Sequence, residues 1–162
     1  MSNQNVISVL VKNEAGALSR MVNLFSARGY NIESLTVSNT LDTKYSRATI
    51  VVSNCDDKVI EQILKQLHKL IPVIKVHDLT PDNSKTLELV LLKVDSKNEV
   101  GNLLKIAEDF GAKIIDVSPK TYTIQAVCDD KQLKSLIELL RPIGIKDIVR
   151  SGAVSIPMSS TV

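Results

Sequence analysis

The residues with the clearest chemical use lie between Lys12 and Asn31, in K-N-E-A-G-A-L-S-R-M-V-N-L-F-S-A-R-G-Y-N. An apolar run from Val6 to Val11 ends there, Asn13-Glu14-Ala15-Gly16 turns the chain, and Leu18, Met21, Val22 and Phe25 recur at helical spacing. A strand that feeds a short Asn/Gly turn and then a helix leaves backbone N–H groups facing outward at the helix start. Those groups and the helix dipole favour an anion. The turn is too short and too poor in glycine for a dinucleotide or nucleoside-triphosphate loop, so the expected guest is a small anion such as an amino-acid carboxylate. Gly29 follows the helical stripe where a left-handed cap is wanted, and Tyr30-Asn31 leads into the next extended segment.

Other reactive residue types do not gather into a site. The two histidines, His68 and His77, have no Cys or His at metal-ligand spacing, so no metal site is expected. His68 sits within Lys65-Gln66-Leu67-His68-Lys69, the pattern of a solvated helix face. Asp56-Asp57 and Asp129-Asp130 stand where helix N-caps are needed. No serine lies in a Gly-x-Ser-x-Gly elbow, and Arg20 and Arg28 sit too far into the first helix for an acylphosphatase-like phosphate loop. No catalytic residue is assigned.

The positioning elements follow from the pattern. Ile32–Ser38 and Ser46–Val52 read as strands, and Val59, Ile60, Ile63, Leu64, Leu67 and Leu70 form a helical stripe stopped at Pro72. Val73–Val76 reads as a closing strand. After the turn-rich Thr80-Pro81-Asp82-Asn83-Ser84-Lys85 the order repeats. Leu87–Val94 is a strand, Val100, Leu103, Leu104, Ala107 and Phe110 mark a helix closed by Gly111, and Lys113–Val117 and Thr121–Val127 are strands. Leu133, Leu136, Ile137 and Leu140 mark a helix, and Ile145–Val149 is the last strand. The expected fold is α+β: two tandem ferredoxin-like βαββαβ domains, at 1–79 and 87–162, joined by a linker at 80–86. The letters repeat too. Lys12–Leu18 resembles Lys97–Leu103 at an offset of 97 − 12 = 85, which Phe25 and Phe110 share, and Cys55-Asp56-Asp57-Lys58 recurs at Cys128 with an offset of 128 − 55 = 73. The tail Ser159–Val162 is expected to fray.

Composition limits the partners. The chain has 162 residues, is 44% hydrophobic and carries a net charge of +2, with no Trp, three Tyr and two Phe. Neither a basic bias nor the exposed aromatics of an RNA-binding sheet is present, so no nucleic acid is expected. No apolar run is long enough to span a membrane, and the polar start carries no export signal. Cys55 and Cys128 are expected as buried or half-buried thiols in the reducing cytoplasm.

Four segments together resemble the regulatory (small) subunit of acetolactate synthase, also called acetohydroxyacid synthase. They are Asn13–Arg20, Arg28–Leu35 (R-G-Y-N-I-E-S-L), Ser46-Arg47-Ala48-Thr49-Ile50 and Lys65–Leu70. The similarity holds register from Ile7 to Leu79 and continues more loosely through Ile114–Val117 and Arg150-Ser151-Gly152 to Ala153. At Ala48 the family usually has Met. The resemblance implies that the first domain is an amino-acid-sensing ACT domain. It further implies a non-catalytic subunit that activates a large catalytic subunit and confers feedback inhibition by a branched-chain amino acid, usually valine. Thiamine diphosphate, Mg2+ and FAD would then belong to the large subunit, with no cofactor in this chain.

In that family the effector sits where two ACT domains of a homodimer meet. Carried over, Asn13, Gly16, Ala17 and Leu18 line one side and Asn31 and Ile32 of the other chain the opposite side. Backbone N–H groups of Gly16–Leu18 would hold the carboxylate, Asn13 and Asn31 the polar groups, and Leu18 and Ile32 an isopropyl group. The plainer reading is that Asn13 and Asn31 only shape their turns and Gly16 only permits one. The second half has Ala112-Lys113-Ile114 in place of Gly-Tyr-Asn, so effector binding is expected in the first half alone, with the second half contacting the large subunit or another copy. A stand-alone amino-acid-sensing ACT protein is the alternative.

Overall fold

A computed structural model describes residues 4–53, 55–79, 84–95 and 100–158. The chain forms two compact units, Met1–Thr86 with Ala153–Val162, and Leu87–Gly152.

In the first unit β1 (Gln4–Lys12), α1 (Ala17–Ser26), β2 (Ile32–Asn39), β3 (Tyr45–Ser53), α2 (Asp57–His68) and β4 (Val73–Asp78) follow the expected βαββαβ order. The strands make one antiparallel sheet in the order β2-β3-β1-β4. Alternation along the two central strands puts Ile7, Val9 and Val11 beside Ala48, Ile50 and Val52 on the face that α1 and α2 cover. Asp56 caps α2 by accepting from the Val59 N–H at 2.8 Å, and Ile60, Ile63 and Leu67 are its buried stripe. The buried stripe of α1 is Ala17, Met21, Leu24 and Phe25. Met21 and Phe25 sit as expected, but Leu18 is 43% exposed. Helix entry at Gly16 turns Ala17 toward the sheet, and the next residue lies about 100° around the helix.

In the second unit β5 (Ser84–Asp95), α3 (Val100–Asp109), β6 (Lys113–Val117), β7 (Thr121–Cys128), α4 (Asp130–Leu140) and β8 (Ile145–Arg150) repeat the plan, with sheet order β6-β7-β5-β8. Asp129 and Gln132 form a reciprocal capping box at the start of α4. Leu103, Ile106 and Ala107 are buried on α3, whereas Leu104, expected in the stripe, is 52% exposed.

Corresponding defects mark the repeat more sharply than the letters do. The bulge between Leu10 and Val11 against β4 has a counterpart between Lys93 and Val94 against β8, at 94 − 11 = 83. The bulge between Ile32 and Ser34 against β3 recurs between Ile114 and Asp116 against β7, at 114 − 32 = 82. Both first helices end in the same glycine cap. Gly29 N–H donates to Ser26 O and Tyr30 N–H to Phe25 O, while Gly111 N–H donates to Glu108 O and Ala112 N–H to Ala107 O. That pair also differs by 111 − 29 = 82. The offset of 85 between Lys12–Leu18 and Lys97–Leu103 is therefore out of structural register. Lys97–Glu99 lie outside the described residues, and Gly101 lies inside α3 without the positive φ of Gly16. Phe25 is buried at the place that Ala107 takes in the second unit, while Phe110 packs at the rim of its core. The offset of 73 does hold for the α2 and α4 caps.

The boundaries differ from the expected linker at 80–86 and second domain at 87–162. Residues 80–83 and 159–162 lie outside the described residues, but Ser84–Thr86 already belong to β5. The segment after Gly152 returns to the first unit, which also holds the opening residues of β5 up to Thr86: β9 (Val154–Pro157) pairs with β5 and Thr86 Oγ1 lies 2.7 Å from Ser155 Oγ. Ala153 N–H donates to Ser34 Oγ at 3.0 Å and its methyl packs on Val6, Val51 and Leu79. An exposed four-residue strand after a predicted stop has too little periodicity to be read from sequence, and these long-range contacts supply it. A fragment ending at Leu79 is expected to fold, because its main core is complete. It should be less stable than the whole first unit by about 2 kcal/mol, for partly uncovering Val6 and Val51. Urea unfolding of the fragment and the full chain measures the difference, and an unfolded fragment would show that the main core does not suffice.

Candidate functional site

The end of β1 and the start of α1 are held by backbone bonds to neighbouring segments. Lys12 N–H donates to Pro72 O and Asn13 N–H to Lys44 O, each at 2.8 Å, so the turn before β4 and the β2–β3 loop fix the β1–α1 turn from both sides. Asn13 Nδ2 donates to Thr43 O at 3.0 Å and to Asn39 Oδ1 at 3.3 Å, and Asn39 Oδ1 also accepts from Ser46 Oγ at 3.1 Å. Asn13 is thus a brace for the turn: its Nδ2 donates internally, and among the described residues its Oδ1 takes no donor. The bracing residues Asn39 and Thr43 carry no motif. Their only sequence signal is the polar loop into which they fall.

Gly16 is the N-cap of α1 at φ 83° and ψ −8°, a left-handed conformation that glycine adopts without strain. It brings no side-chain oxygen, so α1 starts without a side-chain cap, unlike α2 and α4. The Ala17 N–H turns back to Glu14 O at 3.2 Å. Among the described residues the N–H groups of Leu18 and Ser19 take no partner, and these are the donors the helix start presents. The arrangement can bind a carboxylate: two outward N–H groups, a helix dipole and an absent cap. Of the six residues expected at the effector site, Asn13, Gly16, Ala17 and Leu18 are together here, with Ala17 buried beneath and the Leu18 side chain exposed above. The nearby Arg20–Glu14 pair at 3.8 Å is exposed on both sides and adds little.

Asn31 and Ile32 are elsewhere in the same chain. Asn31 is exposed after the Gly29 cap, and Ile32 is half-buried against the first core at the start of β2. Asn39, which touches Asn13, ends the same strand. Seven residue steps separate Ile32 from Asn39, roughly 23 Å along the strand. The two expected halves of the site therefore lie at opposite ends of β2 within one chain.

The remaining titratable groups are poorly placed for catalysis. Burial raises the pKa of both thiols. The Asp56 charge adds to this at Cys55, and Glu88 and Asp129 add to it at Cys128, where Arg150 opposes them. Cys55 is half-buried and Cys128 buried, as expected for structural thiols. Burial, followed by the charges of Lys75, Arg47 and His68, lowers the pKa of His77. Among the described residues no three His, Cys, Asp or Glu side chains gather as a metal site, and no helix is long and apolar enough to cross a membrane.

Comparison with known proteins identifies the family. Residues 7–75 match the family described as AHAS small subunit-like ACT domain, and residues 87–159 match that described as small subunit of acetolactate synthase. The acetolactate synthase small subunit of Aquifex aeolicus is 45% identical over 154 residues, which cover 94% of this chain and 80% of that protein. This chain belongs to the acetolactate synthase small subunit family. The small subunit of Mycolicibacterium smegmatis is 44% identical over 94% of this chain and 89% of its own length. The crystal structure of the acetolactate synthase small subunit from Thermotoga maritima aligns with a TM-score of 0.88 at 34% identity, covering 98% of this chain and 99% of that one. The tandem α+β fold with an ACT domain first is therefore the family fold, and a regulatory-subunit role follows from membership.

Proposed function

We propose that this small subunit binds the large, thiamine-diphosphate-dependent subunit of acetolactate synthase in the cytoplasm, raises its activity and makes it sensitive to valine. The observation that carries the effector part is the uncapped start of α1, where Gly16 leaves the Leu18 and Ser19 N–H groups open a few residues after Asn13. A carboxylate on the two N–H groups and an ammonium on Asn13 Oδ1 match the two ends common to amino acids. The exposed Leu18 side chain supplies apolar contact for a branched side chain.

The separation of Asn31 and Ile32 from this turn favours a homodimer. β2 is an edge strand, and a two-fold axis beside it would run two copies of β2 and α1 antiparallel. That arrangement brings Asn31 and Ile32 of the second copy toward Gly16 and Leu18 of the first. Thiamine diphosphate, Mg2+ and FAD belong in this reading to the large subunit. The alternative, a stand-alone amino-acid sensor, would bind its ligand without a large partner.

The test is reconstitution. The purified small subunit alone is expected to form no acetolactate from pyruvate. Mixed with the large subunit it should co-purify, raise the rate severalfold and confer inhibition by valine. Turnover by the isolated chain, free of large subunit, would remove the regulatory reading, and valine binding without any association would favour the stand-alone sensor.

A further inference from the structure

The face of the first sheet turned away from α1 and α2 carries cations that the effector site does not use. Arg47 on β3 and Lys75 on β4 both lie opposite Leu10 of β1, so they flank that strand on its two opposite sides. Strand spacing puts their Cα atoms roughly 10 Å apart. Leu10 alternates with the buried Val9 and Val11, so this row belongs to the outer face. Lys12, two residues further along β1, shares the face. His77, two residues from Lys75, lies in the next row, opposite Ser8. Arg47, Lys75 and Lys12 are exposed.

Among the described residues no carboxylate forms an ion pair with them. The five ion pairs of the described residues involve Arg20, Lys65, Lys134, Lys146 and Arg150, and none involves Arg47, Lys75 or Lys12. Asp78, at the end of β4, is perturbed by burial and by Asp57, and these cations are not among its causes. In a chain whose net charge is only +2, this concentration is local rather than general. The shape also limits the ligand. The cations stand at one end of a sheet face whose other end, at Val6 and Val51, is covered by Ala153, and they lie on strands rather than at a helix start. Charges separated in this way suit carboxylates spread over a facing protein surface better than a single small anion.

We propose that this outer sheet face docks an acidic surface of the large subunit through Arg47 and Lys75, with Lys12 at its margin. The inference rests on the proposed association with the large subunit. It concerns a face opposite the helices and requires nothing of the valine site.

The experiment measures association of the full-length chain with the large subunit at several salt concentrations. Wild type is compared with Arg47→Glu, Lys75→Glu, the double variant, and Lys105→Glu on α3 as a control for net charge. Thermal unfolding checks that each is folded. The double variant is expected to bind at least about 10-fold more weakly, chiefly through slower association, and with a flatter salt dependence. Each single variant should fall between it and wild type, and Lys105→Glu should match wild type. A folded double variant that binds as wild type overturns the docking face while leaving the regulatory reading intact. An equal loss in Lys105→Glu assigns the effect to net charge and also overturns it. Competition by phosphate or pyrophosphate beyond that of chloride at equal ionic strength assigns the cations to a small anion, again against the proposal. Failure of wild type itself to associate removes both readings.

Discussion

Gly16→Asp is expected to abolish valine inhibition of the reconstituted enzyme while leaving its activation by the small subunit in place. A Cβ at Gly16 meets no heavy atom within 4 Å, so the side chain has room. The backbone there is left-handed at φ +83°, and Asp is among the residues that tolerate that region best. An Asp at this N-cap would bring a carboxylate next to the helix's open N–H groups, from a left-handed backbone rather than the extended one from which Asp56 and Asp129 cap α2 and α4. The substitution therefore places a negative charge beside the donors that the effector carboxylate needs. Gly16→Ala separates the causes, because it brings the backbone strain without the charge and should retain most of the inhibition.

Asn31→Ala tests the other half of the site. Losing a polar partner in a closed pocket costs about 1–3 kcal/mol, similar to a typical allosteric coupling. At about 1.4 kcal/mol per decade, the half-inhibiting valine concentration should rise by roughly one to two orders of magnitude. The assay is holoenzyme rate against valine, with complex formation followed in parallel. Unchanged inhibition in both Gly16→Asp and Asn31→Ala would move the effector site elsewhere. Lost complex formation would show that the turn is structural only.

The second large effect concerns stability rather than regulation. Arg150 at the end of β8 makes a bidentate pair with Glu88 at the start of β5, through Nε to Oε2 at 2.9 Å and Nη2 to Oε1. The Glu88 side chain is only 5% exposed, whereas that of Arg150 is 49% exposed. The hydrogen bonds to Glu88 hold the Arg150 pKa above its already high value. Arg150→Met leaves a buried carboxylate without its partner. A fully buried broken pair costs about 3–5 kcal/mol, and the partial exposure of Arg150 reduces this to about 2–3 kcal/mol. For a chain of this length the melting temperature should fall by about 4–12 °C. The double variant Glu88→Gln with Arg150→Met should recover part of the loss, since no charge then remains buried. Urea unfolding of wild type and the two variants decides the matter. A single variant as stable as wild type would mean that water solvates Glu88 once Arg150 is gone.

Local chemistry made much of the molecule legible from sequence. Period-two and period-3.6 patterns place the eight strands and helices of the first unit's plan and its repeat, because each element must turn its apolar side to a core whatever that core's details. Asp56 and Asp129 are caps because an Asp side chain satisfies the N–H groups next to it in the chain. Gly29 and Gly111 end their helices because that cap needs a positive φ. The family was equally readable, since short motifs such as R-G-Y-N-I-E-S-L survive as strings.

Tertiary structure decided what depends on distant residues. Whether Leu18 or Leu24 is buried turns on the direction in which Gly16 launches α1, which periodicity alone leaves ambiguous by one side of the helix. The role of Asn13 as a brace depends on Thr43 and Asn39, 30 and 26 residues away. The return of Ala153–Pro157 to the first unit depends on Ser34, 119 residues away. The true register of the repeat is carried by paired bulges rather than by matching letters, because a bulge is defined by the strand it faces. The same holds for the convergence of Arg47 and Lys75. They are 75 − 47 = 28 positions apart in sequence and come to flank the same residue, Leu10, only because β3 and β4 both pair with β1.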